Sequence, residues 1–271
     1  MACALARPTF VALVLLCPTR TACQTPSNTQ DQASAAVEND SNPTRPVLFS
    51  LRPELYARGA DVTQAALIFR YDRAALRRRR WLPGERGVVL RFEMPLSYTQ
   101  AGDSIRQTGL GDAYAQLLVA PYLTRTFAFV VGTGLQVPTA SDDLLGSGKW
   151  ILAPAAGPVW FFRGRGLVFV KLQELVSVAG DSRRSDVNTL LITPIFIHSV
   201  KERWWVLADS ETRTDWLREG RTGVKSGLQI GRTVAAGFGV WAKPEVWWGP
   251  NRDGQWNIKT GIVWYRRRTN P

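Results

Sequence analysis

A two-residue alternation of character, renewed many times from residue 86 to the last tryptophans, constrains this chain more than any other feature. In its clearest stretch Trp205, Leu207, Asp209, Glu211, Arg213 and Asp215 share one parity, and Val206, Ala208, Ser210, Thr212, Thr214 and Trp216 share the other. Strand side chains point to opposite faces with a period of two, so every charge falls on one face and none on the other. Val88, Leu90, Phe92, Met94 and Leu96 oppose Val89, Arg91, Glu93, Pro95 and Ser97 in the same way. Val240, Ala242, Pro244, Val246 and Trp248 oppose Gly239, Trp241, Lys243, Glu245 and Trp247. The last row, Trp256, Ile258, Thr260, Ile262 and Trp264, carries an aromatic residue at both ends, as anchoring at two membrane interfaces requires. A wall with one wet and one apolar face over nearly the whole chain predicts an all-β fold. The economical form is a transmembrane antiparallel up-and-down β-barrel with a polar lumen and an apolar belt.

Candidate strands fall near 47–57, 63–72, 87–99, 111–122, 126–138, 149–162, 166–179, 187–200, 203–216, 222–234, 237–249 and 255–267, about 12 in all. The count is even, as in bacterial barrels. Connections at 124–125, 163–166, 201–203 and 235–236 are tight, whereas 100–108, 139–149, 180–186 and 249–255 are long and polar. Short turns mark the periplasmic end and long loops the outside, which puts both chain ends in the periplasm. The link 72–86, with Arg77 to Arg80 in a row, breaks the rule by being long at the periplasmic end. The stretch 187–200 is apolar on both faces, and Glu174 falls on the otherwise apolar face of Val170, Leu172, Val176 and Val178. A soluble lipocalin-like barrel also alternates, with the apolar face inside. Strand count, loop asymmetry and the N-terminal segment favour the membrane form.

That segment reads as a secretory signal over residues 1–23: Arg7, then the apolar run 9–17, then a small-residue exit at 18–23. The run is too short for a membrane helix, which needs about 20 residues. All three cysteines, Cys3, Cys17 and Cys23, lie within it, so the mature chain is expected to carry no disulfide. A lipidated Cys23 is the alternative exit, although Arg20 stands where lipoprotein signals want an apolar residue. Residues 24–45 hold almost no large apolar side chain and are expected to form a disordered periplasmic leader. The barrel is expected over 46–268.

Chemistry-bearing residues are few. His198 is the only histidine, which rules out a site with two His ligands, and no metal or cofactor is expected. A serine activated by His198 would have to come from Ser177, Ser210 or Ser226 on other strands, because Ser199 is on the opposite face. The carboxylates of 209–215 recur at a strand's repeat, about 7 Å apart, and read as a salt-bridged wall with Lys225, Gln229 and Gln173 as neighbours rather than as an acid–base pair. The expected lumen set is Arg91, Glu93, Gln136, Gln173, Asp209, Glu211, Arg213, Asp215, Lys225, Lys243, Glu245 and Lys259. The formal net charge of +12 would suggest nucleic acid in a cytosolic protein, but the chain carries no recognition module for it. For an exported chain the basic runs 77–80 and 266–268 suit anionic lipid headgroups or solvated turns.

Three stretches in order, 108–112 (TGLGD), 137–150 (VPTASDDLLGSGKW) and 179–188 (AGDSRRSDVN), resemble the outer-membrane barrels of the phenol-degradation meta-pathway MetA-like family. The resemblance covers about residues 43–267. It implies a barrel in the bacterial outer membrane that moves small, often aromatic or hydrophobic solutes, with lipid, solute and the barrel-assembly machinery as partners and no enzymatic activity. Two departures stand out: the Arg-Arg-Arg-Thr-Asn-Pro tail after Tyr265, where such barrels end on an aromatic residue, and the long basic segment 72–86. Two other readings fit the same pattern, an outer-membrane lipid-modifying hydrolase and a structural barrel whose lumen is plugged by its own side chains.

Overall fold

The computed structural model describes residues 48–57, 62–78, 85–102, 105–162, 166–201, 203–235, 237–249 and 254–265. The segments 1–23 and 24–45, the tail after Tyr265 and the side chains of the 77–80 run lie outside the described residues. The strands are β1 (Leu48–Ala57), β2 (Val62–Arg78), β3 (Glu85–Ala101), β4 (Ile105–Leu110), β5 (Ala113–Leu123), β6 (Phe127–Val137) and β7 (Lys149–Phe162). They continue with β8 (Gly166–Gly180), β9 (Asn188–Lys201), β10 (Trp204–Asp215), β11 (Arg221–Ala235), β12 (Phe238–Trp248) and β13 (Trp256–Tyr265). A single 3₁₀ turn, Trp216–Arg218, follows β10.

Consecutive strands pair antiparallel except that β4 and β5 both pair with β3, and β1 pairs with β13, with Leu51 opposite Ile262, to close the wall. β4 and β5 lie end to end against β3, β4 on its residues 96–101 and β5 on 87–93, so thirteen segments form a wall of twelve strands. Apart from β4, whose other side pairs with no strand among the described residues, every strand of the wall is paired on both sides, as strands in hydrocarbon must be.

Two sequence expectations are corrected here. The stretch 100–108 is not a loop: β3 runs on to Ala101, Gly102 turns the chain at φ +59, and β4 begins at Ile105. A turn with φ > 0 suits glycine, and the polar sequence around it hid the hairpin. The long basic link 72–86 is also mostly strand, since residues 72–78 of β2 pair with 85–91 of β3. Its sequence does not alternate, Arg73 being followed by Ala74, Ala75 and Leu76 and then by the arginine run, and that masked the pairing.

The outer surface is apolar over the middle of the wall. Phe69, Leu90, Phe92, Leu117, Leu152, Leu172, Ile192, Leu228, Ile230 and Ile258 are all exposed. Exposed aromatic residues gather at two heights, Trp160, Phe196, Trp204 and Trp264 near the short turns, Trp150, Trp216, Trp248 and Trp256 near the long loops. Rings at the lower height touch along the wall: Phe127 meets Trp160 at 5.9 Å and Phe238 meets Trp264 at 5.4 Å. These are the two girdles of a membrane barrel. A groove of about 530 Å³ lined by Leu228, Pro244, Val246, Trp256 and Ile258 belongs to this outer surface, not to the bore.

Candidate functional site: the bore

Side chains from strands that are not neighbours can meet only on the concave side of the wall, and such contacts identify the inward rows. Arg52 of β1 reaches Glu93 of β3 at 2.9 Å, over β2. Lys243 of β12 reaches Asp209 of β10, over β11. The strand between them contributes Gly227, where a Cβ would run into Lys243, Glu245 and Asp209. Gln173 of β8 donates to the Tyr114 hydroxyl of β5 at 3.2 Å.

In the upper part of the bore these contacts merge into two ionic networks. On one side Asp72 accepts from Arg70 and, at 2.9 Å, from Arg91, while Glu93 holds Arg52 and, at 3.8 Å, Arg70. On the other, Glu245 is held by Lys243 at 2.8 Å, Lys259 at 3.2 Å and the Asn257 amide at 2.7 Å. Lys259 also reaches Glu54 at 3.8 Å across the closing seam. Lys225 pairs with Glu211 at 3.3 Å and lies 5.1 Å over the Trp247 ring, adding a cation–π contact. Gln173 bonds Lys171 and Tyr114, not the β10 carboxylates. Gln136 stands higher, donating to Asp112 and Ser147. Arg213 follows Glu211 on the inward row, and Asp215 ends it by capping the 3₁₀ turn through Leu217 N at 3.0 Å. Most of these groups are half-buried, so water reaches them.

The lower part of the bore is different, and here the expectation of a polar lumen along the whole barrel fails. Val89, Leu118, Ala120, Ala128, Val130, Val159, Leu167, Phe169, Ile197, Trp205, Leu207, Trp241 and Val263 form one apolar cluster at the short-turn end. Ala120, Ala128 and Val159 are 0% exposed and Trp205 is 1% exposed, so this layer is dry. Two bulky rings fit because the residues facing them are glycines. Trp205 lies on Gly231 of β11 and Trp241 on Gly261 of β13, directly opposite in register, and a Cβ at either glycine would penetrate the ring. Neither indole N–H has a hydrogen-bond partner among the described residues, a cost that the packing of the two rings outweighs. The sequence carried this signal as a gradient along each inward row: Trp205 and Leu207 precede Asp209, and Leu167 and Phe169 precede Lys171 and Gln173.

At the upper end the connection 138–148 folds back onto the wall. Asp112, at the break between β4 and β5, accepts from Ser147 N at 2.6 Å, Ser147 Oγ at 2.7 Å, Gln136 at 2.9 Å and Ala140 N at 3.2 Å. Arg184 ties the same connection from the next one, donating to Asp143 O at 2.8 Å and Gly146 O at 2.6 Å. Lys149 meets Asp186 at 2.8 Å. Arg183 beside Asp181 holds that carboxyl down to about 2, and Lys149 and Ser177 keep Asp186 below the usual carboxylate range. Sequence reasoning missed Asp112 and Arg184 as anchors, as well as Arg52, Arg70, Asp72 and Lys171. Arg70 and Asp72 were legible, since they alternate with exposed Phe69 and Tyr71.

His198, on the outer face of β9, stacks on Phe196 with ring centroids 6.0 Å apart. None of the three candidate serines bonds to it among the described residues: Ser177 bonds Asp186, and Ser210 and Ser226 bond each other at 2.9 Å. Among the described residues no set of three or more His, Cys, Asp or Glu side chains converges as a metal site.

A closed twelve-strand wall, apolar and girdled by aromatics outside and charged in its upper bore, defines a bacterial outer-membrane β-barrel. The fold is similar to that of the COG4313 outer membrane channel from Pseudomonas putida F1, with a TM-score of 0.64 and 10% identity over 83% of this chain and 98% of that one. It is similar also to the NanC porin, with a TM-score of 0.51 and 9% identity over 81% of this chain and 100% of that one. No protein-family model matches the chain, and no curated protein matches it by sequence.

Proposed function

We propose that the protein is a passive outer-membrane channel for small solutes. The observation that carries this reading is the half-buried ionic lining of the upper bore, Arg91, Glu93, Glu211, Lys225 and Lys259 among it, closed below by side chains alone. A floor made of side chains can part without unfolding the wall, whereas a backbone plug could not. The dry apolar layer favours small aromatic or hydrophobic solutes, in line with the resemblance to the MetA-like family and the fold shared with channels. Purified protein reconstituted in planar bilayers and liposomes should pass small neutral and aromatic solutes. Absence of both conductance and solute flux would overturn the channel reading. The same floor supports a second reading, a structural barrel filled by its own side chains. That reading predicts no flux of any solute in the native chain and a new conductance once Trp205 and Trp241 are truncated.

A further inference from the structure

Five lysines with described side chains point into the bore or its mouth, and four have a carboxylate within ion-pair distance. These are Lys149 with Asp186, Lys225 with Glu211, Lys243 with Asp209, and Lys259 with Glu245. Lys171 is the exception. Among the described residues its one hydrogen bond is to the neutral Gln173 Oε1, at 3.0 Å. The carboxylates that act on it from beyond contact, Glu211 and Glu93, are engaged by Lys225 and by Arg52. Lys171 is half-buried, and an ammonium facing the interior with no carboxylate in contact leaves a place for an anion to complete it.

The surroundings define what that anion is. Gln173 turns its amide nitrogen to the Tyr114 hydroxyl, which accepts that bond, and the Gln116 side chain also reaches this hydroxyl. The Tyr114 ring lies over Gly134 of β6 and is held in place there. One glutamine therefore joins two donors, the Lys171 ammonium and the Tyr114 O–H, on one side of the bore. One step down the same inward row is Phe169, part of the dry floor. A monovalent head with two oxygens matches one cation plus one hydroxyl, and a flat apolar body matches the floor beneath. A divalent inorganic anion would be under-compensated by a single lysine.

We propose that Lys171 and Tyr114 form a binding site for small organic carboxylates, with the apolar part of the ligand resting toward Phe169. This deepens the channel reading and rests on it, by naming the class of solute that pauses above the floor. The site uses neither of the ionic networks, whose lysines and arginines are already matched to carboxylates.

Benzoate, with benzamide as its neutral counterpart and sulfate as an inorganic anion, tests the proposal by titration calorimetry on the full chain in detergent. Lys171→Gln should weaken benzoate at least tenfold and leave benzamide unchanged, Lys171→Arg should restore most of the affinity, and Tyr114→Phe should cost a smaller factor. Retention of heat-modifiable gel mobility shows that each variant is folded. Benzoate binding in Lys171→Gln within twofold of the native chain, no benzoate binding in the native chain, or sulfate binding more tightly than benzoate would each overturn the site. Binding needs no transport, so the two readings separate. Benzoate flux that persists without Lys171 removes the site and leaves the channel, and Lys171-dependent binding without any flux removes the channel and leaves the site.

Discussion

The lower and upper halves of the bore fill the inside of the same twelve-strand wall with opposite chemistry. Below, Trp205, Trp241, Leu167, Val159 and their neighbours exclude water and pack without ionic partners. Above, Glu245, Asp72 and Glu93 each require two or more cations, and water still reaches the cluster. Dispersion and apolar burial give the lower layer its strength regardless of ionic conditions. A buried charge pair contributes little over an apolar substitute, yet losing one partner costs about 3–5 kcal/mol, so the upper layer is specified by its matching. One half fills the bore with apolar side chains; the other lines it with matched charges.

That contrast can be broken most severely from below. Trp205→Ala combined with Trp241→Ala removes two large buried rings, each with a cost of about 3–5 kcal/mol. The urea midpoint of the folded barrel should fall sharply, and bilayer conductance should rise several-fold. Unchanged conductance would mean that the floor is not the barrier. Glu245→Gln is the matching change above: it leaves Lys243 with Asp209 alone and Lys259 with only Glu54 at 3.8 Å, and the expected loss is about 3 kcal/mol with little change in conductance. If its conductance rises as much as in the tryptophan variant, the two halves are not separable. Asp112→Asn weakens the charge-assisted bonds from Ser147 and Gln136, each about 1.5–3 kcal/mol. Limited proteolysis should then cut within 138–148 while the wall stays intact. Glu174→Leu removes the single carboxylate facing the apolar side of β8, whose Oε1 is buried without a partner, and should stabilise the barrel by about 1 kcal/mol in urea titrations.

The smallest effect is a pH dependence confined to the rim. Because Asp181 is depressed from 3.8 to about 2 by Arg183, its contribution is present above the ordinary value and is lost as pH falls through about 2. Asp186 is depressed in the same direction by Lys149. Protection factors for amide exchange in 181–187, with the intrinsic pH dependence divided out, should therefore fall on acidification from pH 4 toward 2 and stay unchanged from pH 5 to 8. Loosening of the whole wall over the same window would show that the rim is not an independent unit.

Much of the wall was legible because one face of a strand in lipid must be uncharged, so parity alone separates Leu228 and Ile258 from Lys243 and Glu245. The floor was not, because at that height both faces are apolar: Ile195 and Ile197 point in, Phe196 points out, and periodicity cannot divide them. Partner choice was only half legible. Glu211 takes its register neighbour Lys225, but Asp209 reaches past Gly227 to Lys243, a contact created by curvature and by a missing side chain. The hairpin at Gly102 was lost because its strands extend beyond the apolar belt, where outward residues no longer need to be hydrophobic.

The pairing of β1 with β13 has a consequence for the birth of the molecule. Every other ladder joins strands close in sequence, but this one must wait for segments at opposite ends of the polypeptide to meet. Such long loop closure is slow, and until it happens two raw margins of backbone lie open to any other strand. A nascent chain halted before Trp256 would have every ladder that does not involve β13 and still no sealed cylinder.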